Sequence, residues 1–345
     1  MKLNSLRFGK AMSAALFVLL LSVVGMKNAL AQTQVATLQH GEDISVFYGT
    51  NAFVEAHTAA ADGDIVTLSG GSYTAPTTIT KAITLRGTGV ATDTVAGITP
   101  TIFTGVVKFN VTNDSVACNV EGILFNGGIR YGDMINPKFT KCNITNFNSD
   151  GTMSNAQFVN CKINRFYSTR AINTTFINSV VGECSGPDEG HTVSFYNSII
   201  CGAYHSSGGP DGVSAYNSVV GRSSNSSSHY SFGSNSTFFN CIGIKLGTYN
   251  PFGSGYTSGC TTYNSYASVF ETFTGTFDLE EPFILKDEIA TGFLGNDGTQ
   301  VGIYGGFMPY SNRPSYMVMK RCNVANKSTI DGKLSVDIEV VTEEE

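Results

Sequence analysis

The sequence predicts an all-β solenoid of short stacked strands, and three observations carry that prediction. First, an eight-letter phrase recurs. It appears as "FTKCNITN" from Phe139, "FVNCKINR" from Phe158, "FINSVVGE" from Phe176, "FYNSIICG" from Phe195, "AYNSVVGR" from Ala215 and "FFNCIGIK" from Phe238, with a fainter "TYNSYASV" from Thr262. Second, the copies begin 18 to 24 residues apart. That is the drift of a solenoid whose loops vary in length while its core does not. Third, the letters are aromatic and β-branched with Asn and Gly between them. This favours strands, where a leucine-rich repeat of similar period would show spaced leucines and helical runs.

The internal order of one copy follows from strand geometry. In "FVNCKIN", Phe158 and Cys161 differ in parity, so one straight strand cannot point both inward. A bend must intervene, and Asn160 is placed to make it, because Asn tolerates the left-handed region. Asn178, Asn197, Asn217, Asn240 and Asn264 hold the same place. Stacking would set these asparagines in a ladder at the ~4.8 Å strand spacing. Ile144, Ile163, Val181, Ile200 and Val220 form the predicted aliphatic column. Cys142, Cys161 and Cys241 alternate with Ser179, Ser198, Ser218 and Ser265 at one small-residue position, which predicts buried thiols rather than a disulfide framework. Of the eight cysteines, Cys184 and Cys201 are the pair to test for a bridge.

The flanks extend this plan. Residues 1–31 read as a signal peptide, with Lys2, Arg7 and Lys10, an apolar run, and "ALA" at Ala29–Ala31. The apolar run falls short of the ~20 residues a membrane span needs. The mature chain is therefore expected outside the cytoplasm, secreted, periplasmic or at the cell surface, with no transmembrane span. Residues 32–62 are expected to give an N-terminal strand and a capping helix, in which Phe53, Val54 and Ala60 close the core. Residues 63–306 are expected to form the solenoid. In the tail, 307–345, "KLSVDIEVV" alternates as one strand, expected to dock on the solenoid rather than to begin a sandwich module.

Two stretches carry a resemblance. "GDIVTLSGGSY" from Gly63, followed by "ITLRGTG" from Ile83, and "NDGTQVGIYGG" near the end of the repeats are similar to the first and last coils of secreted right-handed parallel β-helix proteins of the pectate-lyase-like superfamily. The expected fold is thus a right-handed parallel β-helix solenoid with a short N-terminal capping helix and a C-terminal tail strand, of about ten coils at one per ~20–24 residues. The resemblance implies nothing firm about activity, since one fold hosts many chemistries.

Chemistry is sparse. Charged residues are 14% of the chain and the net charge is -6, which argues against a nucleic-acid partner. The repeats lack the clustered carboxylates of a glycosidase and the aligned acids of a calcium-assisted lyase. The exception is a pair of Gly-Pro-Asp turns. They bring Asp188, Glu189, His191, Tyr204, His205, Asp211 and Arg222 forward as candidate ligand residues for a saccharide or Ca²⁺, although Pro-Asp-Gly is also an ordinary turn sequence. Lys162, Arg165, Arg170 and Lys245 are expected in solvent. Tyr196 and Tyr216 should stack on neighbouring coils, as wall packing or as a sugar platform. The expected role is non-catalytic binding of a polysaccharide or cell-surface glycan, adhesin-like. The alternative is a polysaccharide lyase with an atypical site.

Overall fold

The computed structural model describes residues 34–92, 98–167, 170–185, 192–204, 211–221, 232–313, 318–324 and 336–341. Strand accounts for 42% and helix for 7%, and the strands form a β-solenoid of about nine turns. The predicted signal peptide lies outside the described residues. Among those described, no helix is long and apolar enough to cross a membrane.

A hairpin of Val35–His40 and Asp43–Tyr48 starts the first sheet, and Val35–His40 pairs antiparallel with Ile65–Leu68. From Ile65–Leu68 the remaining ten strands of this twelve-stranded sheet run parallel, ending at Tyr256–Ser258. The helix Ala52–Ala59 closes the end of the core with buried Phe53, Ala56 and Ala60, while Val54 is half-buried. Phe53 meets Phe103 at 5.5 Å. Lys81 Nζ donates to the carbonyls of His57, Thr58 and Ala60, where the last helical carbonyls lack intrahelical partners. The same ammonium, after burial itself, holds the His57 imidazole below its ordinary pKa.

Inside the solenoid the repeat becomes columns. Phe139, Phe158, Phe176, Phe195, Ala215 and Phe238 are successive register partners. Phe139, Phe158 and Phe176 stack at 5.2 and 4.7 Å within 10° of parallel, and the second-sheet rings Phe147 and Phe166 meet this stack edge-on at 5.1 and 5.0 Å. The aliphatic column Ile144, Ile163, Val181, Ile200 and Val220 is fully buried.

The corners carry two corrections. Asn160, Asn178, Asn197, Asn217 and Asn240 sit at φ between 45° and 53°, the left-handed bend that parity demanded. Asn264 does not. Phe238 pairs with Thr257, so the seventh copy begins five residues earlier than the letters suggest, its corner is Gly259 (φ 67°), and its small residue is Cys260, not Ser265. Nor do the corner asparagines hydrogen-bond to one another. The asparagine ladder stands at a second corner, where Asn155 Nδ2 donates to Asn136 Oδ1 at 3.0 Å and Asn173 Nδ2 to Asn155 Oδ1 at 3.3 Å.

The hydrogen-bonded column beside the predicted corner is the Cys/Ser one. The Ser198 hydroxyl accepts from Ser179 N at 3.2 Å and donates to the Tyr196 carbonyl at 2.8 Å. Ser179 repeats this with Cys161 N and Ile177 O, and Ser218 with Ser198 N and Tyr216 O. A thiol makes the same contacts weakly, which is why Cys and Ser interchange. Ser198→Cys should therefore melt close to the parent. Ser198→Ala, leaving a buried N–H and carbonyl short of a partner, should lose about 1 kcal/mol in urea unfolding.

Seven described cysteines are free thiols. Cys184 and Cys201 cannot bridge as they stand, because they face opposite sides of the wall. Cys184 takes the register position of Phe166 inside the core, while Cys201 belongs to a second apolar cluster outside it.

That second cluster was not foreseen. The expected last coil, up to residue 306, makes no strand of either sheet. Residues 266–306, with a short helix at Asp287–Gly292, run as a strap over the outer surface of the second sheet. Tyr266, Phe270, Phe273, Phe283, Val301 and Ile303 cover the outward Val180, Ile199, Val219 and Ile242. The strap explains why these coils read "SVV" and "SII", apolar on both faces. It is pinned at the corners, where Asn178 Nδ2 donates to the carbonyls of Ile303 and Gly305 at 2.8 and 2.7 Å and Asn217 Nδ2 to Asn296 Oδ1 at 2.9 Å. Gly306 (φ 71°) passes so near Asn197 that an added Cβ would lie 3.0 Å from its side-chain oxygen.

Lys162 is likewise not in solvent. It is buried under the strap, donating to the carbonyls of Leu279 at 3.0 Å and Glu281 at 2.6 Å, with the rings of Phe283 and Tyr310 5.5 and 5.2 Å from Nζ. Arg165, Arg170 and Lys245 are exposed. In the tail, Val336–Val341 pairs antiparallel with Val318–Val324 in a two-stranded sheet of its own, a partner the sequence did not supply.

Candidate functional site

The strap covers one arm of the second sheet and leaves the other open. Strands such as Asn143–Ser149 and Lys162–Tyr167 bend midway, since both Ile144 and Phe147, or Ile163 and Phe166, point inward. The first half of Lys162–Tyr167 lies beneath the strap. The second halves alternate cleanly, with Val107, Ile129, Phe147 and Phe166 inward and Lys108, Arg130, Asn148 and Arg165 outward. Register sets the outward residues in rows. Lys108 pairs with Arg130, Arg130 with Asn148 and Asn148 with Tyr167, while Asn146 pairs with Arg165 and Arg165 with Glu183.

A groove of about 340 Å³ runs over this arm, lined by Val106, Lys108, Gly127, Arg130, Asn146 and Asn148. Its floor requires glycine at position 127, where a Cβ would lie 2.2 Å from the Gly105 carbonyl carbon. The cations beside it are held by their inner nitrogens. Arg130 Nε lies 3.3 Å from Asp150 Oδ1, and Arg165 Nε lies 3.2 Å from Glu183 Oε2. The Tyr167 hydroxyl donates to the same Glu183 oxygen at 2.8 Å. Glu183 is nearly buried while both arginines are half exposed. An arginine anchored through Nε keeps its two outer nitrogens for a bidentate acceptor such as a carboxylate.

The candidate residues from the Gly-Pro-Asp turns fare differently. Asp188, Glu189, His191, His205 and Arg222 lie outside the described residues, and so does the Ca²⁺ reading that depends on them. The backbone of Tyr204 belongs to the strand Ala203–Tyr204. Asp211 is a turn brace, accepting from Asn235 N at 2.8 Å and from Asn235 Nδ2 at 2.7 Å. Asp211→Ala should accordingly lower stability by about 1 kcal/mol, read as a shift in the melting curve. Among the described residues, no three His, Cys, Asp or Glu side chains converge as metal ligands.

Tyr196, Tyr216 and Phe239 do stack along the outer face of the first sheet, at 5.0 and 5.3 Å and 7° from parallel. Rings stacked on one another spend their faces on one another and present edges to solvent. A sugar platform needs faces. Only Tyr256, tilted 57° to Phe239 and 59% exposed, breaks that pattern. The column is wall packing.

Sequence reasoning missed the groove because its two cations, Lys108 and Arg130, lie on coils that precede the recurring phrase. The alternation of "VVKFNV" and "GGIRYGD" marks Lys108 and Arg130 as outward, but nothing in the letters sets the two side by side.

No family model matches the chain, and no curated protein matches it. The chain is similar to a solved pectate lyase. That structure, pectate lyase Pel9A, aligns with a TM-score of 0.34 at 14% identity, over 76% of this chain and 91% of its own. The stacked parallel sheets described above make the fold a parallel β-helix.

Proposed function

We propose that this protein binds an acidic polysaccharide, one bearing carboxylates along its chain, in the groove of the open arm and does not cleave it. One observation carries this. Lys108 and Arg130 are direct register neighbours on the outer face, at the ~4.8 Å strand spacing. Like charges so placed cost stability, and Asp150 offsets only the guanidinium it touches. An anionic ligand would relieve the excess, and Asn146 and Asn148 add amide donors and acceptors for its hydroxyls. A linear polymer of sugar acids has that chemistry and suits an open groove.

The same geometry speaks against turnover. Two carboxylates beside the groove, Asp150 and Glu183, are each engaged by an arginine. The lysine whose pKa burial lowers to about 8, in the range of a working base, is Lys162, and it is sealed beneath the strap.

The test is affinity electrophoresis through gels containing polygalacturonate or, as the neutral counterpart, dextran. Retardation is expected with polygalacturonate only, and should weaken as salt is raised. Lys108→Ala with Arg130→Ala should reduce affinity about tenfold or more, the equivalent of ~1.4 kcal/mol, while melting no lower than the parent, since the like-charge pair is removed. Equal retardation of that double variant would remove the groove assignment. Accumulating absorbance from unsaturated uronates would replace the binder with a lyase.

A further inference from the structure

The corrected register of the last coil brings two cysteines together. Phe239 pairs with Ser258 and Ile242 with Thr261, so Cys241 and Cys260 occupy equivalent positions on adjacent coils, both at the small-residue column. Cys241 N donates to Cys260 Sγ at 3.4 Å, and the two thiols are themselves within hydrogen-bonding reach. Neighbouring parallel strands place such Cα atoms ~4.8 Å apart, inside the 4.4–6.8 Å span that a disulfide requires. We propose that Cys241 and Cys260 are a disulfide-forming pair that, when oxidised, staples the final coil of the solenoid to the one before it.

Access and reactivity differ along the column in a way that selects this pair. Cys142 and Cys161 are also adjacent in it, through the register of Asn143 with Lys162, but both are fully buried within the solenoid. Cys260 is the last member of the column and is partly exposed. Contact with the Cys241 thiol lowers its pKa to about 7, while burial raises that of Cys241. The attacking thiolate is therefore the accessible sulfur.

The chemistry needs an oxidant, and a small-molecule disulfide is the class that fits. Cys260 thiolate attacks one sulfur of that disulfide, expelling one thiolate and forming a mixed disulfide. Cys241 then loses its proton to water and displaces the second thiolate from the Cys260 sulfur. Two protein thiols are oxidised by two electrons, and the reagent's disulfide is reduced to two thiols. At this end of the solenoid the bond has a structural consequence, because Tyr256–Ser258 is exposed and, among the described residues, is the edge strand of the first sheet.

The test uses the full chain, reduced, freed of reductant and incubated with oxidised glutathione. Samples are quenched in acid, denatured and titrated for thiols, and the linked peptides are mapped by mass spectrometry. The expected result is the loss of two thiols and two hydrogens, mapped to Cys241 with Cys260, while Cys142 and Cys161 stay reduced. Cys260→Ser, a residue the column already accepts, should abolish the loss, and Cys142→Ser should leave it unchanged. A glutathione adduct that persists on Cys260 would overturn the proposal, since it would show that Cys241 cannot reach the mixed disulfide. So would the absence of any reaction, or oxidation that maps to another pair.

Discussion

Asn178→Leu is expected to lose about 4 kcal/mol of stability, more than a typical single substitution. Two losses add. Asn178 sits at φ 47°, where a side chain branched from Cβ onward costs ~1–2 kcal/mol that Asn largely escapes. Its amide also serves two strap carbonyls, those of Ile303 and Gly305, in a buried setting. The Ile303 carbonyl keeps a second donor, Tyr310 N at 2.7 Å, and loses one bond, worth ~0.5–1.5 kcal/mol, whereas the orphaned Gly305 carbonyl costs ~1–3 kcal/mol. Asn178→Gly separates the two effects, since glycine keeps the backbone conformation and loses only the bonds, for about 2 kcal/mol. Urea unfolding midpoints of both variants decide the matter. Equal losses in the two would mean that the corner is not strained. A near-parental midpoint in both would mean that the strap is held by its apolar face alone.

The second large effect is a pH dependence localised to Lys162. Burial lowers its pKa from the ordinary 10.5 to about 8, against the opposing pull of Glu281, Asp278 and Glu280. Here the folded value lies below the unfolded one. Below pH 8 both states hold the proton and the folded state bears the full desolvation cost. Between pH 8 and 10.5 the unfolded chain binds the proton more often, so stability rises with pH across that window. From pH 8 to 9.5 the gain is about 1.6 kcal/mol, because the folded group is already half titrated at pH 8 and the slope reaches 1.36 kcal/mol per unit only above it. Lys162→Met lacks the titration. The parent should therefore gain about 1.6 kcal/mol on the variant between pH 8 and 9.5 in paired urea melts, where every other titrating group is common to the two proteins. A constant difference across those pH values would show that the Leu279 and Glu281 carbonyls and the two rings hold the ammonium charged.

Local chemistry determined a large part of this molecule. Parity within "FVNCKIN" required a bend, and Asn160, Asn178, Asn197, Asn217 and Asn240 make it. The interchange of Cys and Ser required one small buried site, and Ser179, Ser198 and Ser218 fill it as hydrogen-bonded links. The alternation of the coils put Phe and Ile inside. All of these are short-range facts, in which a residue and its neighbours two or three positions away suffice. What tertiary structure decided is what crosses the coils from outside. The valines and isoleucines outward on the second sheet look like redundant core until the strap lies over them. Lys162 looks like a solvated lysine until two carbonyls more than a hundred residues along the chain cap it. The seventh copy slipped by five residues because Gly259 can make the corner that Asn makes elsewhere, so the letters "YNS" mark no corner there. The groove of Lys108 and Arg130 depends on register between coils that share no phrase. Register is a property of the stack, set by the length of every loop between them, and no window of sequence contains it.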